Sequence, residues 1–134
     1  MANPTQQQTL QQKRAAHAWG CIEQITKKPE DFRKKYGSQV RGLPALIQSD
    51  GLGQALAFLK AKDKNKKESY YFVAYEHIAS WAQDKESGLN AQGDFLEWLL
   101  KQSTTDYRRA TAEVLAYLSW IKRFAEAKGW QDEE

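Results

Sequence analysis

The segment YRRATAEVLAYLSWIKRFAEA, residues 107–127, constrains this chain more than any other, because it reads as one long helix with two chemically opposite sides. Projected at about 100° per residue, Tyr107, Ala110, Val114, Tyr117, Leu118, Trp120, Ile121 and Phe124 share one apolar arc. Arg108, Ser119, Lys122 and Arg123 lie on the other side. Such a helix can organise a core and still present a row of cations, which points to binding of something anionic and not to chemistry on it.

No stretch shows the strict alternation of a half-buried strand, and every long segment carries helical periodicity. The fold class expected is all-α, a compact single-domain bundle of about six to seven helices over residues 1–134. A first helix runs from about Gln7 to Thr26, with Leu10, Ala15, Ala18, Trp19, Ile22 and Ile25 on its apolar side. Pro29, Glu30 and Asp31 suit the start of a second, along which Phe32, Tyr36 and Val40 recur every four residues. Pro44 lacks a backbone donor and pushes Leu43 towards an extended conformation, so the chain is expected to bend there. A short apolar turn, Ala45 to Ile47, follows the bend.

Asp50 is placed to cap the next helix, GLGQALAFLK, in which Gly51 and Gly53 are better explained by close backbone approach than by helix propensity. Residues 60–67, KAKDKNKK, hold five lysines and one aspartate, so a solvated lysine-rich loop is expected over 61–67. A helix from about Glu68 to Gln83 carries a wide aromatic face, FLEWLLKQ makes a short one, and Ser103 or Thr104 caps the last. The ends, about 1–6 and 129–134, are expected to be flexible.

Reactive constellations are missing. His17 and Cys21 are four residues apart, but two ligands do not make a zinc site, and packing is the preferred reading. His77 is expected to be a satisfied surface or interface residue. Gly51-Leu52-Gly53 lacks the partners of a phosphate loop or a dinucleotide fingerprint. The expectation is therefore no enzyme, no metal and no cofactor. A lone cysteine excludes an internal disulfide. No run approaches the ~20 apolar residues of a membrane span, so a cytoplasmic address without membrane contact is the default.

Two charges break the helical patterns. Arg14 projects into the apolar arc of the first helix, and Glu113 into that of the last. A buried unpaired charge is very costly, so either these two form a structural ion pair that fixes the crossing of the terminal helices, or Glu113 pairs with Arg109 while Arg14 meets a partner. Formal net charge is +3, a mild basic bias that permits nucleic acid without requiring it. Arg108, Lys122 and Arg123 are the most suggestive cations, with Arg108 and Arg123 roughly 22 Å apart along a rigid axis. Lys34 and Arg41 would extend that surface if the second helix is a neighbour. The lysine run itself reads first as a solubilising loop.

Arg14-Ala15 followed by Trp19, then LPALIQSDGLGQALAFLK, then the terminal segment with Thr111, Glu113, Trp120, Lys122, Arg123 and Phe124 together resemble the small helical subunit of the type III-B CRISPR effector, the Cmr ribonucleoprotein complex. The resemblance covers about Gln11 to Lys128, apart from the lysine run. It implies a non-catalytic structural subunit of an RNA-guided antiviral complex. Copies would stack into a minor filament beside the other subunits and help hold guide and target RNA. On that resemblance Arg109 joins Arg41, Arg108, Lys122 and Arg123 as residues for RNA or neighbour contact. A helical protein-interaction module that never touches nucleic acid is the alternative.

Overall fold

A computed structural model describes residues 8–130, and among them the chain forms six α-helices and one short 3-10 turn, with no strand. These are α1 (Leu10–Thr26), α2 (Glu30–Asp50), α3 (Leu52–Asp63), α4 (Tyr70–Gln83), α5 (Phe95–Leu100) and α6 (Thr104–Ala127), with the 3-10 turn at Lys85–Ser87 before α5. The all-α expectation holds.

Four of the six helices start on a side-chain cap. Thr9 and Gln12 form a reciprocal capping box on α1. Helix α1 therefore begins at Leu10, and the expected start at Gln7 lies outside the described residues. Ser69, Asp94 and Ser103 cap α4, α5 and α6 by accepting from backbone N–H groups of the first turn. Of the two expected caps for α6, it is Ser103 that takes the role.

The interruption expected around Pro44 does not end the helix. Helix α2 continues through it to Asp50, so the turn over Ala45 to Ile47 is helix as well. Tyr36, Val40, Leu43 and Ile47 form one buried stripe along α2, and burying it outweighs the ~3 kcal/mol that an interior proline costs. Asp50 is consequently the last residue of α2 and not a cap. Gly51, at φ +94°, turns the chain, and the Gly53 N–H donates to the Tyr107 hydroxyl at 2.8 Å. A Cβ at Gly53 would stand 3.0 Å from that oxygen, which is the close approach the sequence implied.

Side-chain contacts fix the packing. Helices α1 and α6 run in the same sense, with Arg14 on Glu113 and Trp19 edge-on to Phe124 at 5.1 Å. Helix α4 runs against α1, since His17 meets Ser80 and Gln24 meets His77. Helix α2 runs against α6, with Gly51 and Gly53 near Tyr107 and Gly37 near Trp130. Two residues assigned to the apolar side of α1, Leu10 and Trp19, are 40% and 42% exposed. Trp19 lies at the rim of the arc, where it meets Phe124 edge-on and carries Lys128 over its ring.

His77 is buried, not at the surface. Gln24 Oε1 takes its Nε2–H at 3.2 Å, which leaves Nδ1 to accept from the Tyr36 hydroxyl at 2.7 Å. Residues 129 and 130, expected to belong to a flexible end, are instead held in place, and the rest of that expected end, 131–134, lies outside the described residues. Lys128, Gly129 and Trp130 close α6 in a Schellman turn, with Gly129 at φ +77° and the Trp130 N–H on the Ala125 carbonyl. The Trp130 side chain is buried, and its backbone seats on Gly37, where a Cβ would fall 1.7 Å from the Trp130 oxygen.

Gly37→Ala should therefore lower unfolding free energy by about 2 kcal/mol or more in urea titration. Removing residues 130–134 from that variant should recover part of the loss, because the clash goes with them. The second test is acid. Burial pushes the His77 imidazole down to about 4, with His17 adding to the shift. Between an unfolded value near ~6.5 and 4 the unfolded chain binds the extra proton, so stability is intact above that window and falls as pH drops through it, by roughly 3 kcal/mol in full. The urea midpoint should drop between pH 7 and pH 4.5, a range that covers most of that window, and His77→Gln should flatten the drop.

Candidate functional site

The charged centre of the molecule is the Glu113 carboxylate on α6. Arg14 approaches it from α1 in a bidentate fork, Nε to Oε2 at 2.6 Å and Nη2 to Oε1 at 2.9 Å. Trp81 reaches it from α4, its Nε1–H on Oε2 at 3.0 Å. Three helices thus converge on one carboxylate that is 8% exposed. Hydrogen bonding to Glu113 holds the Arg14 guanidinium above its ordinary pKa, against the opposite pull of burial. Arg109 takes no part in this: its guanidinium donates to the Gly88 carbonyl instead.

Trp81 was not singled out in the sequence as a partner of Glu113. The signal was available, because an indole N–H on an apolar face needs an acceptor, and a carboxylate offers more lone pairs than one arginine fills.

Beside this centre, a second hydrogen-bonded chain crosses the same three helices. Ser80 Oγ donates to the His77 carbonyl at 3.0 Å and so accepts His17 Nε2–H at 3.2 Å. His17 Nδ1 then accepts from the Tyr117 hydroxyl at 2.7 Å, and Tyr117 accepts in turn from the Cys21 thiol at 3.3 Å. Trp81 stacks on Tyr117, with centroids 5.4 Å apart and planes 7° from parallel. Burial pushes the Cys21 thiol and the Tyr117 phenol up and the His17 imidazole down, so all three stay neutral near pH 7. A neutral thiol and a neutral imidazole in fixed hydrogen bonds pack helices; they do not form an activated nucleophile. A groove of about 520 Å³ between α1 and α4 opens onto His17, Cys21, Gln24, Glu76, His77 and Ser80. Among the described residues no group of three or more His, Cys, Asp or Glu side chains is arranged to hold a metal ion.

The surface cations do not form one cluster. Arg108 and Arg109 stand on the first turns of α6, both exposed. Lys122 and Arg123 stand near its other end, where Lys122 is half-buried and Arg123 is exposed and paired with Glu126 at 2.9 Å. The antiparallel run of α2 puts exposed Arg41 towards that second end, so Arg41, Lys122 and Arg123 share a level of the bundle and Arg108 and Arg109 do not. Lys34 is tied to Glu30 at 3.2 Å within its own helix.

Removing one partner of the central pair leaves the other buried and uncompensated. Arg14→Met should cost about 3–5 kcal/mol in chemical denaturation. Arg14→Met with Glu113→Gln should recover most of it, because glutamine keeps an acceptor for Trp81 while no charge remains buried.

The fold and these contacts can be set beside known proteins. A family model for CRISPR-associated protein (Cas_Cmr5) matches residues 10–128. The CRISPR system Cmr subunit Cmr5 of Thermotoga maritima is 30% identical over 121 residues, covering 88% of this chain and 83% of that protein. The subunit of the same name from Thermus thermophilus is 32% identical over 95 residues, covering 71% and 75%. The crystal structure of a CRISPR-associated Cmr5 family protein from Thermus thermophilus matches with a TM-score of 0.71 over 90% of this chain and 97% of that one, at 27% identity. With the family pattern running from the first residue of α1 past the end of α6, the chain belongs to the Cmr5 family of CRISPR-associated proteins.

Proposed function

We propose that this chain is a non-catalytic structural subunit of a type III-B Cmr ribonucleoprotein complex in the cytoplasm. In this reading it contacts the other subunits, stacks with copies of itself into a minor filament, and helps hold guide and target RNA. The observation that carries the reading is the family match, which spans all six helices. The chemistry supports it. Both histidines and the single thiol are committed to hydrogen bonds between helices, and no helix among the described residues is long and apolar enough to cross a membrane.

In this reading Arg41, Lys122 and Arg123 supply cations at one level of the α2–α6 pair, and Arg108 and Arg109 supply them at the far end. Contacts of this modest strength suffice if they are repeated across stacked copies on one RNA strand, because each further contact is made at high effective concentration. Arg14 and Glu113 serve the fold and not the ligand. One observation favours the alternative of a protein-interaction module without RNA contact: Arg109 and Arg123 already have partners in the chain, Gly88 and Glu126.

The two readings separate in the assembled complex. Lys122→Glu with Arg123→Glu should weaken target-RNA capture roughly tenfold or more while the isolated subunit keeps its helical circular-dichroism signal and its melting temperature. Unchanged capture by a complex of normal composition would remove these residues from the RNA surface. Loss of the subunit from the complex would favour the module.

A further inference from the structure

The most strongly charged region of the molecule is not the α6 face but one end of the bundle. Residues 27–35 hold five cations and two carboxylates, and residues 62–68 hold four and two. That surplus of five exceeds the net +3 of the whole chain, so everything outside these two segments is net acidic. The fold brings them together. Phe32 at the start of α2 packs edge-on against Tyr70 at the start of α4, centroids 6.2 Å apart and planes perpendicular. The α1–α2 connection and the α3–α4 turn are therefore neighbours.

The turn is built, not loose. Helix α3 extends through Asp63, further than the sequence suggested, and Asp63 is buried with its carboxylate on the Asn65 N–H at 2.7 Å. Its carbonyl takes the Lys66 N–H, and Ser69 donates its backbone N–H to Lys66 before capping α4. Lys64 and Asn65 adopt left-handed backbone conformations, φ 51° and 62°, within this pinned turn. The lysines project from a fixed support, which lowers the entropy lost when they engage a partner.

Counter-charges are few. Lys34 and Lys35 pair with Glu30 and Asp31, but among the described residues Lys27, Lys28, Arg33, Lys64, Lys66 and Lys67 have no carboxylate within ion-pairing distance. Arg33 leaves Nε without an acceptor and reaches the Thr26 carbonyl only at 3.4 Å. Half-buried rings stand among these cations: Phe32 under Lys28, Phe58 under Lys62, and Tyr70 against Tyr71 at 4.3 Å. Unpaired cations interleaved with partly exposed aromatic rings, on a rigid surface, match the demands of a single-stranded nucleic acid, whose phosphates need charge and whose bases need π-faces. An acidic protein surface would use the charges and leave the rings without a role.

We propose that this end of the bundle, formed by Lys27, Lys28, Arg33, Lys66 and Lys67 around Phe32 and Tyr70, is a binding surface for single-stranded RNA, separate from the α6 cations. The isolated full-length chain should bind a fluorescent oligouridylate of about fifteen nucleotides at low salt, read by anisotropy. Lys66→Glu with Lys67→Glu should weaken binding roughly tenfold and flatten the slope of log affinity against log salt by about 1 to 1.5. Lys27→Glu with Lys28→Glu, on the other chain segment, should do the same. Lys85→Glu with Lys101→Glu, an equal change of net charge at the opposite end, should act several-fold less, and circular dichroism reports folding for all three. Equal loss from the control pair, no loss from either basic-end pair, or no binding by the unaltered chain overturns the proposal. Unchanged RNA binding by basic-end variants that no longer join the complex assigns the surface to a protein partner and overturns it equally. The Lys122 and Arg123 variants leave this surface intact, so the two RNA contacts fail or stand independently.

Discussion

Glu113 holds a position that an unpaired carboxylate could not occupy, and the bundle is arranged around making that position acceptable. Arg14 supplies two donors from α1 and Trp81 a third from α4, so the carboxylate is satisfied only when three helices stand at the right distance and rotation. Apolar burial along α6 would tolerate small slips of one helix past another, because hydrophobic contact is not directional. A bidentate fork does not tolerate them. The neighbouring chain from Cys21 through Tyr117 and His17 to Ser80 repeats the constraint one turn on, and the Trp81–Tyr117 stack joins the two. The apolar core supplies the driving force, and these polar contacts select one register from it.

Much of this arrangement is legible in the sequence, since misplaced polarity in a helical pattern is visible without coordinates. Arg14 and Glu113 stand out because each interrupts an apolar arc, and Gly53 because its helix gains nothing from a glycine. What the sequence left open was which charge met which, and spacing alone ranked Arg109 equally as the partner of Glu113. Pro44 misled for an opposite reason: a local backbone penalty is plain in the sequence, while the buried stripe from Tyr36 to Ile47 that overrides it depends on helices far along the chain. For His77 the sequence suggests a satisfied surface or interface residue, because the partners that hold it inside the bundle, Tyr36 and Gln24, lie forty-one and fifty-three residues away. The Trp130 seat on Gly37 had no signal at all in periodicity, only an unremarked glycine on a buried face.

Charge is distributed on a different logic from packing. Arginines on α6 drew notice because a long helix displays them in a row, yet two of them are engaged within the chain, and the larger surplus lies where short connections meet at one end. A linear reading dilutes that surplus over two segments some thirty residues apart. The contact of Phe32 with Tyr70 concentrates it. An assembly subunit can in this way carry exposed cations along a helix and denser charge at an end, on a scaffold whose buried polar side chains are paired with one another.

The seating of Trp130 against Gly37, together with the Arg14–Glu113 fork, also bears on how the chain is made. Both contacts join the first third of the sequence to its last few turns, so during synthesis α1 and α2 emerge long before their partners exist. Ile22, Ile25, Val40 and Leu43 then have no completed surface to cover them until α6 has left the ribosome. Closure of the bundle therefore waits on its last helix, and the stage before that helix is available is the one most exposed to misassociation.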